Sequence, residues 1–310
     1  MKVLVTGGAG FIGRWTVKRL LERGEEVVVL DDLSNGSGKN LEEFKGKVEL
    51  IKGNVADGKA VEKLFDERGF GLCVHLAAQI NVQKSIDDPV TDFRSNVIGT
   101  HNVMEGCRKH KAKSVIVSTC MVYDTAGGVA INEEHPVKPA SPYAGSKLAA
   151  EEIALSYYHA YKLPVVVLRP FNTYGPYQKS NMEGGVVTIF LQKQMKGEEL
   201  RVFGSGEQTR DLLYVEDCAE FIETACYSDA AVGQIFNAGS GEDIKIKELA
   251  NMIAGEKGRV AFVEHHHPQS EIMKLLCDYS KARKLLAWKP RTSLKEGIER
   301  TREWLEGGSL

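Results

Sequence analysis

Tyr143 and Lys147 stand four apart in the run Ser141-Pro142-Tyr143-Ala144-Gly145-Ser146-Lys147. On a helix capped by Ser141 and begun by Pro142, that spacing stacks the two side chains on one face. An ammonium beside a phenol lowers its pKa from about 10, and a phenolate can take a hydroxyl proton while hydride leaves the same carbon. Spacing alone does not choose this pair, because Tyr158 and Lys162 repeat it on the same predicted helix. The 15 residues between the pairs amount to about 22 Å of rise, so only one pair can serve a single site. Tyr143 is favoured by its place at the helix start, whereas Tyr158, in the last turns, is expected to pack or face solvent. Thr119 is the third candidate. It follows the predicted strand Ser114–Ser118, at the carboxyl end where α/β sheets bind ligands, and its hydroxyl could bond the reacting oxygen. Ser118 competes for that role, and strand alternation decides between them.

Gly7, Gly10 and Gly13 follow the first predicted strand and open the first helix. A pyrophosphate can lie against a helix N-terminus only where no Cβ intrudes, and the exposed N–H groups attract its charge. Asp31 ends the second strand 18 residues beyond Gly13, where a carboxylate accepts both ribose hydroxyls of NAD and repels the 2′-phosphate of NADP. Asp32 is adjacent and second in preference. The expected cofactor is NAD, whose positive nicotinamide ring would favour the Tyr143 phenolate further.

Positioning these groups requires a βαβ series. Lys2–Thr6, Glu26–Leu30, Val48–Lys52, Gly71–Leu76, Ser114–Ser118 and Val165–Arg169 read as strands, with helices near Phe11–Arg23, Lys59–Arg68, Pro89–His110 and Pro142–Lys162 between them. Several strands are apolar nearly throughout, as expected where helices cover both faces of a parallel, doubly wound α/β Rossmann sheet. After Pro170 a Gly-, Asn- and Pro-rich stretch leads to a helix near Val186–Lys196 and shorter elements. Val215–Tyr227 and Gln234–Ala238 read as a helix and strand returning to the main sheet. The expected division is a cofactor domain at 1–169 joined by 213–239, and an interleaved substrate lobe at 170–212 and 240–310.

The 310 residues are 43% hydrophobic and 26% charged, with a formal charge of −2. No apolar run approaches the roughly 18 residues of a membrane span, and no basic block suggests nucleic acid. Cys73, Cys107, Cys120, Cys218, Cys226 and Cys277 form no CxxC pair, which suits a reducing compartment and buried, thiol-as-hydrophobe roles rather than a metal site. No signal peptide is read ahead of MKVLVTG, so the cytoplasm is expected. His265-His266-His267 lacks a further ligand at a metal-binding spacing and reads as a surface loop.

TGGAGFIG (6–13), HLAAQ (75–79), NVIGT (96–100), STCMVY (118–123), SPYAGSK (141–147), RPFNTYGP (169–176) and GSGEQTRDLLYVEDCA (204–219) together resemble the extended short-chain dehydrogenase/reductase family, and within it the nucleotide-sugar epimerases and dehydratases. The resemblance spans nearly the whole chain and implies Thr119, Tyr143 and Lys147 as the catalytic trio. It implies that NAD lies along Phe11, Ile12, Asp32, Asn35, Asn54 and Val55, and along Leu76, Ala77, Ala78, Gln79, Asn96, Ser118, Tyr143, Lys147 and Phe171. The nucleotide sugar would meet Thr119, Tyr143, Asn172, Val186, Arg201, Val202, Phe203 and Arg210, with Arg210 suited to bidentate phosphate binding. A homodimer through the helices Pro89–His110 and Pro142–Lys162 is also implied.

The reaction turns on two residues. The related 4,6-dehydratases carry Asp and then Glu after the Thr, an acid/base pair that eliminates water across C5 and C6. Here those positions hold Cys120 and Met121. A thioether does not titrate and an ordinary thiol has a pKa of about 8.5, so neither replaces the pair near neutral pH. Cys120 is expected to pack. Decarboxylases that resemble STSEVY here also have the Glu that Met121 lacks, and GDP-sugar 3,5-epimerases place Cys one position later. The expectation is a 4-epimerase working through a transient 4-keto sugar. Alternatives are a 4,6-dehydratase or other 4-keto-forming member, a 4-keto-sugar reductase that Asp31 disfavours, and a non-catalytic NAD-binding sensor. The R-x-G-[DE] pattern usual near His267–Glu271 is absent, and Asp124 stands where Gly is commoner.

Overall fold

The computed structural model describes residues 1–124, 127–179, 185–256, 258–264 and 272–308. The main sheet contains β1 (Lys2–Thr6), β2 (Glu26–Asp31), β3 (Val48–Lys52), β4 (Leu72–His75), β5 (Lys113–Val117) and β6 (Val165–Pro170). Next in the chain come β7 (Asn172–Tyr174), β8 (Leu200–Phe203), β9 (Thr209–Tyr214), β10 (Ile235–Ala238), β11 (Asp243–Lys245), β12 (Val260–Val263) and β13 (Lys274–Leu275). The helices are α1 (Phe11–Glu22), α2 (Gly58–Arg68), α3 (Val82–Asp87), α4 (Pro89–Phe93), α5 (Gly99–His110), α6 (Pro142–Tyr161), α7 (Val186–Met195), α8 (Val215–Tyr227), α9 (Ile246–Ala254), α10 (Ser280–Leu286) and α11 (Leu294–Glu306).

Among the described residues, seven parallel strands run in the order β10-β6-β5-β4-β1-β2-β3. Their unbroken apolar runs follow from burial on both faces. Val3 and Val5 join one core with Val17 and Leu20 of α1 and Phe221 and Ile222 of α8, while Leu4 faces the opposite core with Leu64 of α2, Val103 of α5 and Ala154 of α6. β10 lies parallel to β6, so the chain returns to the first sheet after building β7–β9. The direction of winding reverses between β1 and β4, and the crevice outside their carboxyl ends is where such sheets take ligands.

The second region joins β7, β11 and β13 to β9, with β8 and β12 paired separately. Its core gathers Val187 and Leu191 of α7, Leu249 and Ile253 of α9, and Ile298 of α11.

The helix expected over Pro89–His110 is one helical path with a wide turn. A π-helical segment, Arg94–Ile98, joins α4 to α5, and the hydroxyl of Thr100 donates to the Asn96 carbonyl at 2.6 Å. Single π turns inside helices redirect side chains and recur at functional sites. Here the turn buries Asn96. The short α3 was not anticipated; Asn81 caps it by accepting the Lys84 N–H. No described helix is long and apolar enough to cross a membrane. The histidine triplet and residues through Glu271 lie outside the described residues.

Candidate active site

The turn after β1 is shaped by backbone proximity. Gly7 has φ +71°, and a Cβ there would sit 2.7 Å from the Ala77 nitrogen; at Gly13 it would sit 2.1 Å from the Gly7 carbonyl oxygen. Gly10 precedes α1 with no side chain capping its N–H groups, which leaves a helix terminus suited to an anion. Phe11 and Ile12 form the first turn.

Asp31 closes this cradle from β2. One carboxylate oxygen accepts the Ala9 N–H at 3.0 Å and the other the Leu33 N–H at 2.9 Å, so the group is fixed across the turn and keeps lone pairs for ribose hydroxyls. Burial pushes its pKa up, and these two backbone N–H groups oppose the shift. Lys179 also approaches it electrostatically. Asp32 instead accepts from Ser34 and from the Asn54 amide, the latter at 3.0 Å. Asn35 is half-buried beside this pair, and Val55 is buried.

Ser141 and Pro142 start α6 as expected: the Ser141 hydroxyl accepts the Ala144 N–H, and Pro142 occupies the first turn. Tyr143 and Lys147 are both buried, and the Lys147 ammonium donates to the Val117 carbonyl at 2.7 Å. Burial pushes the Tyr143 phenol up to about 12, against the neighbouring Thr119 hydroxyl, which favours the ionised form. The charges of Cys120 and Asp92 would act in the same upward direction. This corrects the expectation of a phenol already lowered by its lysine. Burial also pulls Lys147 down to about 8 against the pull of Glu151 and Asp92. Tyr158 of the second YxxxK pair packs against the sheet core and leaves no room for a Cβ at Gly233.

Ser118 and Thr119 are both buried, but they do different things. Thr119 acts on the Tyr143 phenol and caps the 3₁₀ turn Cys120–Val122 by accepting the Met121 N–H, while the Ser118 hydroxyl has no hydrogen-bond partner among the described residues. A buried hydroxyl without a partner and a glycine cradle that a Cβ would fill both fit a ligand in the crevice. Cys120 is 3% exposed in an apolar cluster with Phe171 and Cys277, and burial pushes its thiol up to about 12. It packs, as expected. Phe171 likewise sits in that cluster.

Sequence reasoning missed much of the polar frame beneath the crevice. The Ala77 N–H donates to the Thr6 hydroxyl, which donates in turn to His75 Nδ1 at 2.7 Å; His75 Nε2 meets the Thr100 hydroxyl at 3.1 Å. Since Thr100 donates to the Asn96 carbonyl, it must accept from His75, which fixes the Nε2–H tautomer. Burial holds this imidazole neutral, with its pKa at about 3. Asn96 and Gln79 exchange side-chain-to-backbone bonds, and the Asn96 amide also donates to Asp92 and to the Ser146 hydroxyl. The Gln79 amide reaches Asp92 too, at 2.9 Å. Ser146 donates to the Tyr143 carbonyl, and the Tyr143 N–H to the Ser85 hydroxyl. The available signal was helical spacing, since Asp92 precedes Asn96 by one turn and Glu151 follows Lys147 by one turn. Leu76 and Ala78 flank Ala77 on the same half-buried stretch.

On the substrate side, Asn172 carries a buried side-chain oxygen with no partner among the described residues. Arg210 lies near enough to Cys120 to act on its thiol, and its guanidinium donates to the Thr209 and Ile272 carbonyls at 2.7 and 2.8 Å. Val186 begins α7. Along β8, Val202 is fully buried while Arg201 and Phe203 face outward.

A Rossmann sheet with this crevice, glycine turn and Thr–Tyr–Lys group defines the class, and the chain belongs to the extended short-chain dehydrogenase/reductase family of nucleotide-sugar epimerases and dehydratases. Residues 4–301 match the family described as GDP-mannose 4,6 dehydratase. The chain is 38% identical over 314 aligned residues to a UDP-glucose 4-epimerase of Mycolicibacterium smegmatis, covering 100% of each chain. It is similar to the crystal structure of Pal from Bacillus thuringiensis, at 55% identity, 99% coverage of both chains and a TM-score of 0.97. It is also similar to Thermus thermophilus UDP-glucose 4-epimerase in complex with NAD, at 35% identity, 99% coverage of both and a TM-score of 0.91.

Proposed function

We propose that this chain is an NAD-dependent nucleotide-sugar 4-epimerase in which Tyr143 moves the C4 hydroxyl proton. The observation that carries the reading is the pairing of Tyr143 with Thr119 where the next residue, Cys120, is buried with its thiol held at about 12. Elimination across C5 and C6 needs a second acid/base pair, and neither this thiol nor Met121 supplies one.

Residues 1–169 with 213–239 would hold the cofactor, and 170–212 with 240–310 the nucleotide sugar. The Gly7–Gly13 turn would take the pyrophosphate and Asp31 the adenosine ribose of NAD, the cofactor with which the Thermus relative forms a complex. Bound there, oxidised NAD would supply the hydride acceptor for C4 and a positive charge that favours the Tyr143 phenolate. Thr119 orients the C4 oxygen, Tyr143 takes its proton, and Lys147 offsets the resulting charge. The 4-keto sugar then turns over, and Tyr143 returns the proton as the opposite face is reduced. No net redox change results. Arg210 and Asn172 are the proposed diphosphate and sugar contacts. Two copies are proposed to pair through α4–α5 and α6, where Val90, Phe93 and Tyr161 are exposed.

A panel of UDP-, dTDP- and GDP-hexoses, followed by NMR of the products, tests the reading. C4 epimers are expected. A 4-keto-6-deoxy product would overturn it in favour of the dehydratase alternative, and identical behaviour of wild type and Tyr143→Phe on every sugar would favour a sensor.

A further inference from the structure

Asp92, Lys147, Glu151 and Arg169 are each no more than 5% exposed. An ammonium removed from water requires a compensating negative charge, and two buried carboxylates, Glu151 and Asp92, act on Lys147 electrostatically without pairing with it directly. Glu151, one turn along α6, acts on Lys147 more strongly by itself. Arg169 of β6 holds it, however, with three bonds between 2.6 and 3.1 Å, so the pair presents almost no net charge to its surroundings. The bond from Lys147 to the Val117 carbonyl adds a dipole but no charge.

Asp92 of α4 is the carboxylate left over. One of its oxygens accepts the Gln79 amide at 2.9 Å and the Asn96 amide at 3.2 Å. The same Asn96 amide donates at 2.9 Å to Ser146, the residue before Lys147, and Ser146 donates to the Tyr143 carbonyl. A single side chain therefore ties Asp92 to the turn of α6 that carries both Tyr143 and Lys147. The neighbouring ionisable groups among the described residues do not compete. His75 of β4 is neutral, the Cys120 thiol is protonated, and Tyr143 is protonated at rest.

We propose that Asp92 is a positioning residue, the buried counter-charge that keeps Lys147 protonated beside Tyr143 and is steered there by Gln79 and Asn96. This rests on reading Tyr143 and Lys147 as the working pair. The device has two sides: the charge that retains the lysine proton also resists ionisation of Tyr143 at rest, so the phenolate forms only when further positive charge enters the crevice.

The test is the titration of Lys147 in the full chain saturated with NAD, followed by NMR of ¹³C-labelled lysine, the Lys147 signal being the one lost in Lys147→Arg. In Asp92→Asn the midpoint is expected to fall by about one pH unit. Asp92→Ser, also uncharged, serves if the asparagine variant does not fold. An unchanged midpoint overturns the proposal. So does a midpoint that moves in Glu151→Gln and not in the Asp92 variants, which would make Glu151 the counter-charge. No sugar enters the measurement, so a chain that titrates as expected yet turns over no nucleotide sugar would sink the epimerase reading alone.

Discussion

The Lys147 ammonium is anchored to the main chain of β5, donating to the Val117 carbonyl at 2.7 Å, two residues before Thr119. The same strand end thus sets the lysine and the hydroxyl that meets Tyr143. Because burial holds Lys147 at about 8, the ammonium persists at neutral pH and is lost above it. Turnover is expected to fall above about pH 8. In Lys147→Arg, whose guanidinium does not deprotonate, the residual activity should lack that alkaline limb; a limb of unchanged position in kcat against pH would show that another group titrates there.

Tyr143→Phe removes the proposed base but keeps the ring that fills its site. Positioned proton transfer is worth about 10²–10⁴-fold, so kcat should drop by that factor. Bound NAD, measured after denaturation, should stay near the wild-type level, because the Gly7–Gly13 turn and Asp31 are untouched and the phenylalanine ring keeps the shape of the site. Loss of NAD with loss of turnover would mean that Tyr143 acts by holding the cofactor.

His75 gives the fold a pH dependence of definite sign. Its pKa is about 3 in the folded chain against an ordinary 6.5. Between those values the unfolded chain binds the extra proton, so stability is complete above pH 6.5 and declines as pH falls toward 3. One group contributes about 1.4 kcal/mol per pH unit over that window. Urea midpoints at pH 7 and 4.5 should differ more for wild type than for His75→Gln. Equal differences would remove His75 from the account.

The buried Glu151–Arg169 pair predicts an asymmetry. Arg169→Met alone strands a carboxylate that is fully buried, a change worth about 3–5 kcal/mol. Replacing both, as Glu151→Leu with Arg169→Met, should cost less than the sum of the single changes. A double-mutant cycle by urea unfolding measures this, and simple additivity would mean that the bonds seen between the two side chains contribute no coupling.

The parts legible in the sequence are those with local periodicity. The strands of the main sheet, α1, α6 and α8 follow from apolar runs and capping residues, and Ser141 and Pro142 mark the start of α6 by residue type alone. What escaped notice depends on distance in the chain. His75 meets Thr6 across 69 residues and Asn96 meets Ser146 across 50, and no local pattern encodes such meetings. The π turn at Arg94–Ile98 was hidden because its residues suit an ordinary helix. The elevated Tyr143 phenol was hidden for another reason: burial is a tertiary property, and a YxxxK spacing reports only the neighbour.

Asp31 offers a test of the cofactor that is independent of the sugar. Its two oxygens already accept the Ala9 and Leu33 N–H groups, which holds the carboxylate in one orientation at the end of β2. In that pose it can accept ribose hydroxyls, while a 2′-phosphate would bring negative charge against it with Lys179 as the cation that acts on it. Asp31→Asn keeps the shape and removes the repulsion. It should weaken NAD binding and strengthen NADP binding, narrowing their ratio by about tenfold or more, equivalent to about 1.4 kcal/mol. Fluorescence titration with each reduced cofactor reads the ratio directly. If the wild type does not prefer NADH, or if Asp31→Asn leaves the ratio as it was, the carboxylate is a turn-fixing group alone and cofactor choice lies elsewhere in the crevice.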